Sequence, residues 1–403
     1  MKYVILLGDG MADEPLAALN GKTPLQHALT PHMDFVAAHG EIGVAATVPD
    51  GFSPGSDVAN LSVLGYDPRL YYTGRSPLEA VSMNITLDDE DVAYRCNLVT
   101  LSAEEPYEEK IMVDYSADEI TTAEAAKLID AVKDGLENQD LKIYPGFGFR
   151  HLLVWKGGPI DSEFTPPHDI SGKVIGPYLP KGPGGETFLR LMKDSSSYLP
   201  SHPVNIARVE KGLRPANGLW FWGQGKRPDM PKFYDRYGLH GSVISAVDLI
   251  KGIGICAGLS IVEVEGVTGT IHTNAAGKVR AALDELANGQ DIVYLHVEAP
   301  DAVSHRGELE SKIKAIELVD RMLGQLLQGL EVYDDYKIMV LPDHPTPLSI
   351  MTHSNKPVPF AIYTKGQQKY TERAYDEPTA AKGMVFQAGH ELMDYFLSDE
   401  IKP

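Results

Sequence analysis

The chain has 403 residues, 43% of them hydrophobic and 23% charged, with a formal net charge of −20. This composition is that of a soluble globular protein with room for two domains, and an acidic balance without any basic block argues against nucleic acid or anionic membranes as partners. Two cysteines, Cys96 and Cys256, make no disulfide framework, and no segment reaches the ~18 uninterrupted apolar residues of a membrane span, so the expected setting is the cytoplasm.

Tyr3-Val4-Ile5-Leu6-Leu7 reads as a buried strand that runs into Gly8-Asp9-Gly10. Thr30-Pro31 opens a helix, with Thr30 as N-cap and Pro31 at the first helical position. Pro54-Gly55-Ser56 then precedes a helix-like run. Ser56 would sit at its N-terminus, where backbone N–H groups favour phosphate, although alone it reads first as a plain N-cap. Ile85 to Asn97 is strand-forming, Thr121 caps a helix through Ile129, and His151 to Trp155 reads as another strand. Residues 156–184 are rich in Pro and Gly and suit loops over a ligand cleft, and helix signals resume near Phe188. After Gly241 helix and strand signals alternate, through Val247 to Ile250, Ser260 to Val264, Ala275 to Ala287, Ile292 to Val297, Lys312 to Gly329, Lys337 to Leu341 and Pro359 to Tyr363. That is the rhythm of a parallel α/β sheet. The expected architecture is a catalytic domain of residues 1–82 and 243–403, interrupted by an inserted α+β cap of residues 83–242, with hinges near 80–86 and 240–245.

Three of the apolar runs end in potential metal ligands. The first leads to Asp9, the run Ile292–Val297 leads to Asp301 and His305, and Lys337–Leu341 leads to Asp343 and His344. Residues just past the carboxyl ends of parallel strands converge on one crevice. Asp301 and His305, four apart, share a face if the segment opens a helix, and His353 is the natural third ligand. Asp343 and His344, in a Pro-flanked turn, would serve a second ion with Asp9. One Asp after a strand is usually only a cap, but three acids and three histidines in this order point to a binuclear centre, of a donor mixture that suits Mn, Zn or Mg. An ion touching Ser56 would make its hydroxyl a nucleophile at neutral pH.

These stretches carry a resemblance. Gly8-Asp9-Gly10-Met11, the run Pro54-Gly55-Ser56-Asp57-Val58-Ala59-Asn60 through Asp67-Pro68, and Tyr71-Tyr72-Thr73-Gly74-Arg75 resemble the alkaline-phosphatase superfamily, and within it the archaeal-type cofactor-independent phosphoglycerate mutases. So do Arg95-Cys96-Asn97-Leu98, Ala246 to Gly252, Val297-Glu298-Ala299-Pro300-Asp301 with His305, and Asp343-His344 with His353. The resemblance runs over essentially the whole chain. It implies an alkaline-phosphatase-like catalytic domain and interconversion of 3-phosphoglycerate and 2-phosphoglycerate through a phosphoserine at Ser56, without 2,3-bisphosphoglycerate. It implies two divalent ions, manganese first and Zn, Mg or Co as alternatives. Asp301, His305 and His353 would hold one; Asp9, Asp343, His344 and Ser56 would hold the other. Lys251 resembles the family's phosphate-contacting lysine, while Arg95, Arg150, His151, Lys226 and Arg227 would bind a small phosphorylated acid. Ala302-Val303-Ser304 departs from the acid and smaller residues of the family pattern. Two alternatives stay open: another phosphotransferase or phosphatase on the same fold, such as a homoserine kinase, and a metal-stabilised binding protein without turnover. No Gly-rich ATP loop supports ordinary kinase chemistry.

Overall fold

The computed structural model describes residues 1–367 and 370–398. Among these, the strands in chain order are β1 (Lys2–Gly8), β2 (Glu41–Ala45), β3 (Asp91–Leu101), β4 (Met112–Asp114), β5 (Leu141–Tyr144), β6 (Arg150–Lys156), β7 (Gly218–Gly225), β8 (Gly241–Ile244), β9 (Ser260–Ile261), β10 (Ile292–Val297), β11 (Tyr336–Leu341), β12 (Val358–Thr364) and β13 (Met384–Phe386). The chain divides into two compact units, one of residues Met1–Tyr72 and Asp229–Pro403, the other of Thr73–Pro228.

The first unit is built on an eight-stranded sheet in the order β13-β2-β12-β11-β1-β10-β8-β9. β1 lies between β10 and β11, parallel to both, with Gly8 level with Val297 and Leu7 level with Leu341. The three strands therefore end at the same edge, and Asp9, the segment after Val297 and the segment after Leu341 leave the sheet side by side. β1, β10 and β11 are almost wholly buried, because their continuous Val, Ile and Leu runs face helices on both sides. Leu309–Leu330, the longest of these helices, packs against Ala275–Ala287 and Pro31–His39 and contributes Ile316, Val319, Leu323 and Leu326 to the core. One strand departs from the parallel pattern: β12 runs antiparallel to both β11 and β2. Its connection from β11 turns back through residues 342–357 at the strands' carboxyl end, without a crossover helix, so the chain returns in the opposite direction.

The second unit is an antiparallel sheet in the order β4-β3-β6-β5, with β7 paired along the other edge of β3. The amphipathic helices Thr122–Leu136 and Gly185–Tyr198 cover it, and an aromatic group of Tyr94, Phe164, Phe188 and Phe221 fills the space beneath. Thr121 caps its helix as expected, accepting a hydrogen bond from Glu124 N at 3.3 Å. The strand expected from Ile85 begins only at Asp91, because Asp88 and Asp91 close a turn in which Asp88 N donates to Asp91 Oδ2 at 2.9 Å.

The unit boundaries fall ten and fourteen residues before the positions expected at 82/83 and 242/243. Ser76–Ser82 is a helix packed on β3 and β7. On the return path Pro231 O accepts from Tyr66, Lys232 donates to Cys256 O, and Phe233 N donates to Ala257 O, which tie residues 231–233 to the first unit.

Candidate metal centre and anion cluster

Asp9 follows β1 directly and is buried, anchored by its N–H to Val297 O at 3.0 Å. The chain after β10 turns at once into the helix Ala299–Ser304, placing Asp301 in the first turn and His305 at the C-cap. Asp301 Oδ2 then lies 3.2 Å from His305 Nε2, and Asp301 Oδ1 lies 3.5 Å from His353 Nε2. After β11, Asp343 and His344 are both 0% exposed. His344 Nε2 lies 3.6 Å from Asp9 Oδ1, 3.4 Å from Asp343 Oδ2 and 3.1 Å from Ser56 Oγ. Ser56 is the first residue of the helix Ser56–Val63, one position inside the N-cap, which is Gly55. Asp9, Ser56, Asp301, His305, Asp343, His344 and His353, far apart in sequence, thus meet.

Two ligand groupings result, Asp301 with His305 and His353, and Asp9 with Asp301 and His344. Asp301 belongs to both, a sharing that spacing could not indicate. The tautomers agree with a metal reading. His305 Nδ1 bonds Met351 O at 3.0 Å and His353 Nδ1 bonds Pro54 O at 3.3 Å. A carbonyl only accepts, so each Nδ1 carries the proton and, in the neutral ring, each Nε2 has a bare lone pair. Those two Nε2 atoms stand 2.9 Å apart and both face Asp301. His344 follows the same rule. Thr346 Oγ1 donates to Asp301 Oδ1 at 2.6 Å and is left to accept from His344 Nδ1 at 3.2 Å, so His344 also turns Nε2 inward. Asp9 Oδ1 is buried without a hydrogen-bond partner. Three inward lone pairs and an orphaned carboxylate oxygen fit divalent ions.

The acids and imidazoles of the site also shift one another's protonation. Burial, then the charges of Asp343 and Asp301, push the Asp9 carboxyl well above its usual range. Burial also works to raise Asp301, but the neighbouring His305, His353 and His344 prevail and hold it well below. Burial pushes His344 down; for His305 the bond to Asp301 outweighs burial and raises it.

Several contributing residues escaped the sequence reading. Asn60, one turn after Ser56, donates to Ser56 O and to Asp343 Oδ2, both at 2.8 Å. Thr47 donates to Asp343 O, and His296, inside an apolar strand, bonds Asp9 Oδ2 at 3.0 Å. The i,i+4 relation of Ser56 and Asn60 was a usable signal; the other two had none.

Lys251, in the helix Asp248–Cys256 that packs on the Ser56 helix, is held by Glu263 at 2.7 and 2.9 Å. In the second unit Arg95 is 4% exposed and ion-pairs with Glu79, which Arg75 also meets at 2.9 Å; the Arg150 charge acts on the same carboxylate. Burial raises Glu79, but Arg95 and Arg75 outweigh it, and the carboxyl lies below its usual range. His151 accepts from Gly146 N at 3.0 Å through Nδ1, so its buried Nε2 carries a proton with no partner. Burial, then the Arg95 charge, brings that imidazole down to about 3. The structure thus brings the Arg95 and Arg150 charges to Glu79 and the Arg95 charge to His151, whereas Lys226 and Arg227 are exposed, Lys226 reaching Asp89 O at 3.4 Å.

Comparison with known proteins gives a consistent result. The family model for 2,3-bisphosphoglycerate-independent phosphoglycerate mutase matches residues 37–205, and that for type I phosphodiesterase / nucleotide pyrophosphatase matches residues 187–361. A protein of Methanothrix thermoacetophila named 2,3-bisphosphoglycerate-independent phosphoglycerate mutase is 52% identical over 95% of this chain and 96% of its own. One of Methanosarcina barkeri with the same name is 50% identical over 96% of each. Among solved structures, a Pyrococcus horikoshii protein superposes with a TM-score of 0.81 at 28% identity, covering 100% of this chain and 99% of its own. The cofactor-independent phosphoglycerate mutase of Thermoplasma acidophilum gives 0.63 at 25% identity, covering 98% and 99%.

Proposed function

The chain belongs to the 2,3-bisphosphoglycerate-independent phosphoglycerate mutases, an isomerase family, and we propose that it interconverts 3-phosphoglycerate and 2-phosphoglycerate with Ser56 as the nucleophile. The observation that carries the site assignment is the set of inward Nε2 atoms of His305, His344 and His353 beside Ser56 Oγ and the orphaned Asp9 Oδ1. In this reading Asp301, His305 and His353 hold one divalent ion, and Asp9, Asp343 and His344 with Ser56 hold the other. Bound ions, manganese first, supply Lewis-acid stabilisation of phosphoryl oxygens and favour the serine alkoxide.

Ser56 Oγ forms a bond to phosphorus as the bond to the C3 oxygen breaks, and the proton that the serine gives up passes to the departing glycerate oxygen, which leaves as a hydroxyl. The C2 hydroxyl then takes the phosphoryl group from Ser56, restoring the serine. Asn60 keeps Ser56 and Asp343 in register through one amide. The N-terminal position of Ser56 on its helix favours the phosphate's negative charge. Lys251 leaves Glu263 to contact the phosphate. Arg95, Arg150 and His151 of the inserted unit receive the glycerate carboxylate or phosphate; the buried His151 Nε2–H without a partner supports this. Lys226 and Arg227 contribute only a solvated charge, consistent with their exposure. The cytoplasm is the inferred setting, supported by only two cysteines in the chain. Among the described residues no helix is long and apolar enough to cross a membrane. A homoserine phosphotransferase is not favoured, since relatives matching nearly the full chain carry the mutase name.

³¹P NMR with manganese and 3-phosphoglycerate, without 2,3-bisphosphoglycerate, tests this reading. Formation of 2-phosphoglycerate with little free phosphate is expected; free phosphate alone, or no change, would refute the mutase assignment.

A further inference from the structure

His296 is a buried polar side chain with no place in the chemistry above. It sits one residue before the carboxyl end of the apolar strand β10 and is 0% exposed, where an imidazole without hydrogen bonds would be destabilising. Both ring nitrogens are engaged. Nδ1 lies 3.1 Å from Ser245 Oγ, and Nε2 lies 3.0 Å from Asp9 Oδ2. Ser245 Oγ already accepts the N–H of Val247 at 3.0 Å, so its own O–H is available to donate to Nδ1. That assigns the proton of the neutral ring to Nε2, which donates it to Asp9. The main chain at this point is fixed as well, because the buried Lys278 donates to His296 O at 2.7 Å.

The consequence falls on Asp9. With Oδ2 occupied by an imidazole N–H, only Oδ1 faces the site, and Oδ1 is the buried atom left without a partner. We propose that His296 is a positioning residue that restricts Asp9 to a single ligand oxygen, with Ser245 setting its tautomer and Lys278 its backbone. The proposal rests on the two-ion reading above. A carboxylate free to rotate would offer both oxygens or turn away, and the ion it shares with His344 would be bound more weakly. Partners of this kind, one bond removed from an ion, typically change its affinity by roughly ten- to a hundredfold.

The test is manganese binding to the purified protein, followed by electron paramagnetic resonance of free Mn²⁺ and by calorimetry, for the wild type, His296→Leu, His296→Gln and Ser245→Ala. The leucine removes the donor and keeps the volume; the glutamine amide can return an N–H near the Nε2 position. We expect the wild type to bind two ions, His296→Leu to bind one of them roughly ten- to a hundredfold more weakly, and His296→Gln to recover most of that loss. Ser245→Ala is expected to give a smaller loss in the same ion. Melting of each variant in chelator separates this from a folding defect, since His296→Gln that melts like His296→Leu yet binds tighter reports positioning alone. Unchanged affinity for both ions in His296→Leu, or His296→Gln no better than His296→Leu, would overturn the proposal while leaving the two-ion reading intact. Fewer than two ions in the wild type would overturn both.

Discussion

The two units bury charge in opposite ways. In the first, Asp9, Asp301 and Asp343 crowd into one buried site beside imidazoles and neutral hydrogen-bond donors, and Asp9 is driven well above its usual range. In the second, the half-buried carboxylate of Glu79 is met by Arg75 and Arg95 within reach of the Arg150 charge, and it is held below its usual range although desolvation works to raise it. Desolvation raises both carboxyls; the sign of the neighbouring charge decides which way each moves. The first site has an excess of negative charge that a cation would neutralise. The second has an excess of positive charge, which suits a small anion on a chain whose net charge is −20.

The largest effect that would test this contrast is on turnover. Ser56→Ala should lower mutase activity by at least about 10⁴-fold, as expected for loss of a nucleophile, while manganese titration shows the ion of Asp301, His305 and His353 still bound. Activity within tenfold of the wild type would remove Ser56 from the mechanism and leave the acid-rich site without its acceptor.

Next in size is Glu79→Gln. Removing the carboxylate leaves the Arg95 guanidinium buried without its ion pair, which costs about 3–5 kcal/mol for a buried pair broken on one side. The melting temperature should fall and KM for 3-phosphoglycerate should rise, with manganese affinity unchanged. A variant as stable as the wild type would show that water, not Glu79, compensates the arginines.

The two units should also differ in the sign of their pH dependence. Glu79, lowered in the folded state, binds fewer protons folded than unfolded, so its stabilisation is present above the usual carboxyl value and is lost as pH falls below it. Glu377 of the first unit is the reverse. Burial raises it to about 7 from an ordinary 4.5, although it accepts from Thr23 Oγ1 at 2.6 Å and Asp13 N at 3.0 Å. The folded protein then holds a proton that the unfolded chain has released, and stability falls as pH rises from about 4.5 to about 7. Subtracting denaturation curves of Glu377→Gln from the wild type across that window should reveal a decline of about 3 kcal/mol. A flat difference would mean that the Thr23 and Asp13 bonds already keep Glu377 ionised.

The smallest expected change is the most specific to the metal reading. Asp9→Asn relieves like-charge repulsion in chelator-treated protein, so its melting temperature at pH 8 should rise by about 2–4 °C, corresponding to ~1 kcal/mol. With manganese the order should invert, because the amide is a poorer ligand than the carboxylate. Destabilisation by Asp9→Asn in chelator as well would indicate that the carboxylate acts mainly through its bond to His296.

Local pattern made much of this molecule legible. The runs at Tyr3–Leu7, Ile292–Val297 and Lys337–Leu341 are strands because continuous β-branched and leucine residues can be buried on both faces, and the acids after them are where parallel strands release the chain. Thr121 and the four-residue step from Asp301 to His305 also read correctly, since capping and helical periodicity are short-range properties. β7 was not legible: Leu219-Trp220-Phe221-Trp222 lies among turn residues, and it becomes a strand by pairing with β3 across more than a hundred residues. Nor was the direction of β12, which depends on a connection without a crossover.

By itself the sequence determined which residue types were available and in what order: three acids behind three strands, a serine opening a helix, and arginines in the insertion. Composition and periodicity act locally, and they needed no partner to be read. Only the tertiary structure decided which oxygen or nitrogen each side chain presents. Met351 O, Pro54 O and Thr346 turn three Nε2 atoms inward, and His296 leaves Asp9 one free oxygen, through hydrogen bonds between residues up to about three hundred positions apart. A tautomer or a carboxylate rotamer is set by what stands within 3 Å of it, and that is a property of the packed fold rather than of neighbours along the chain.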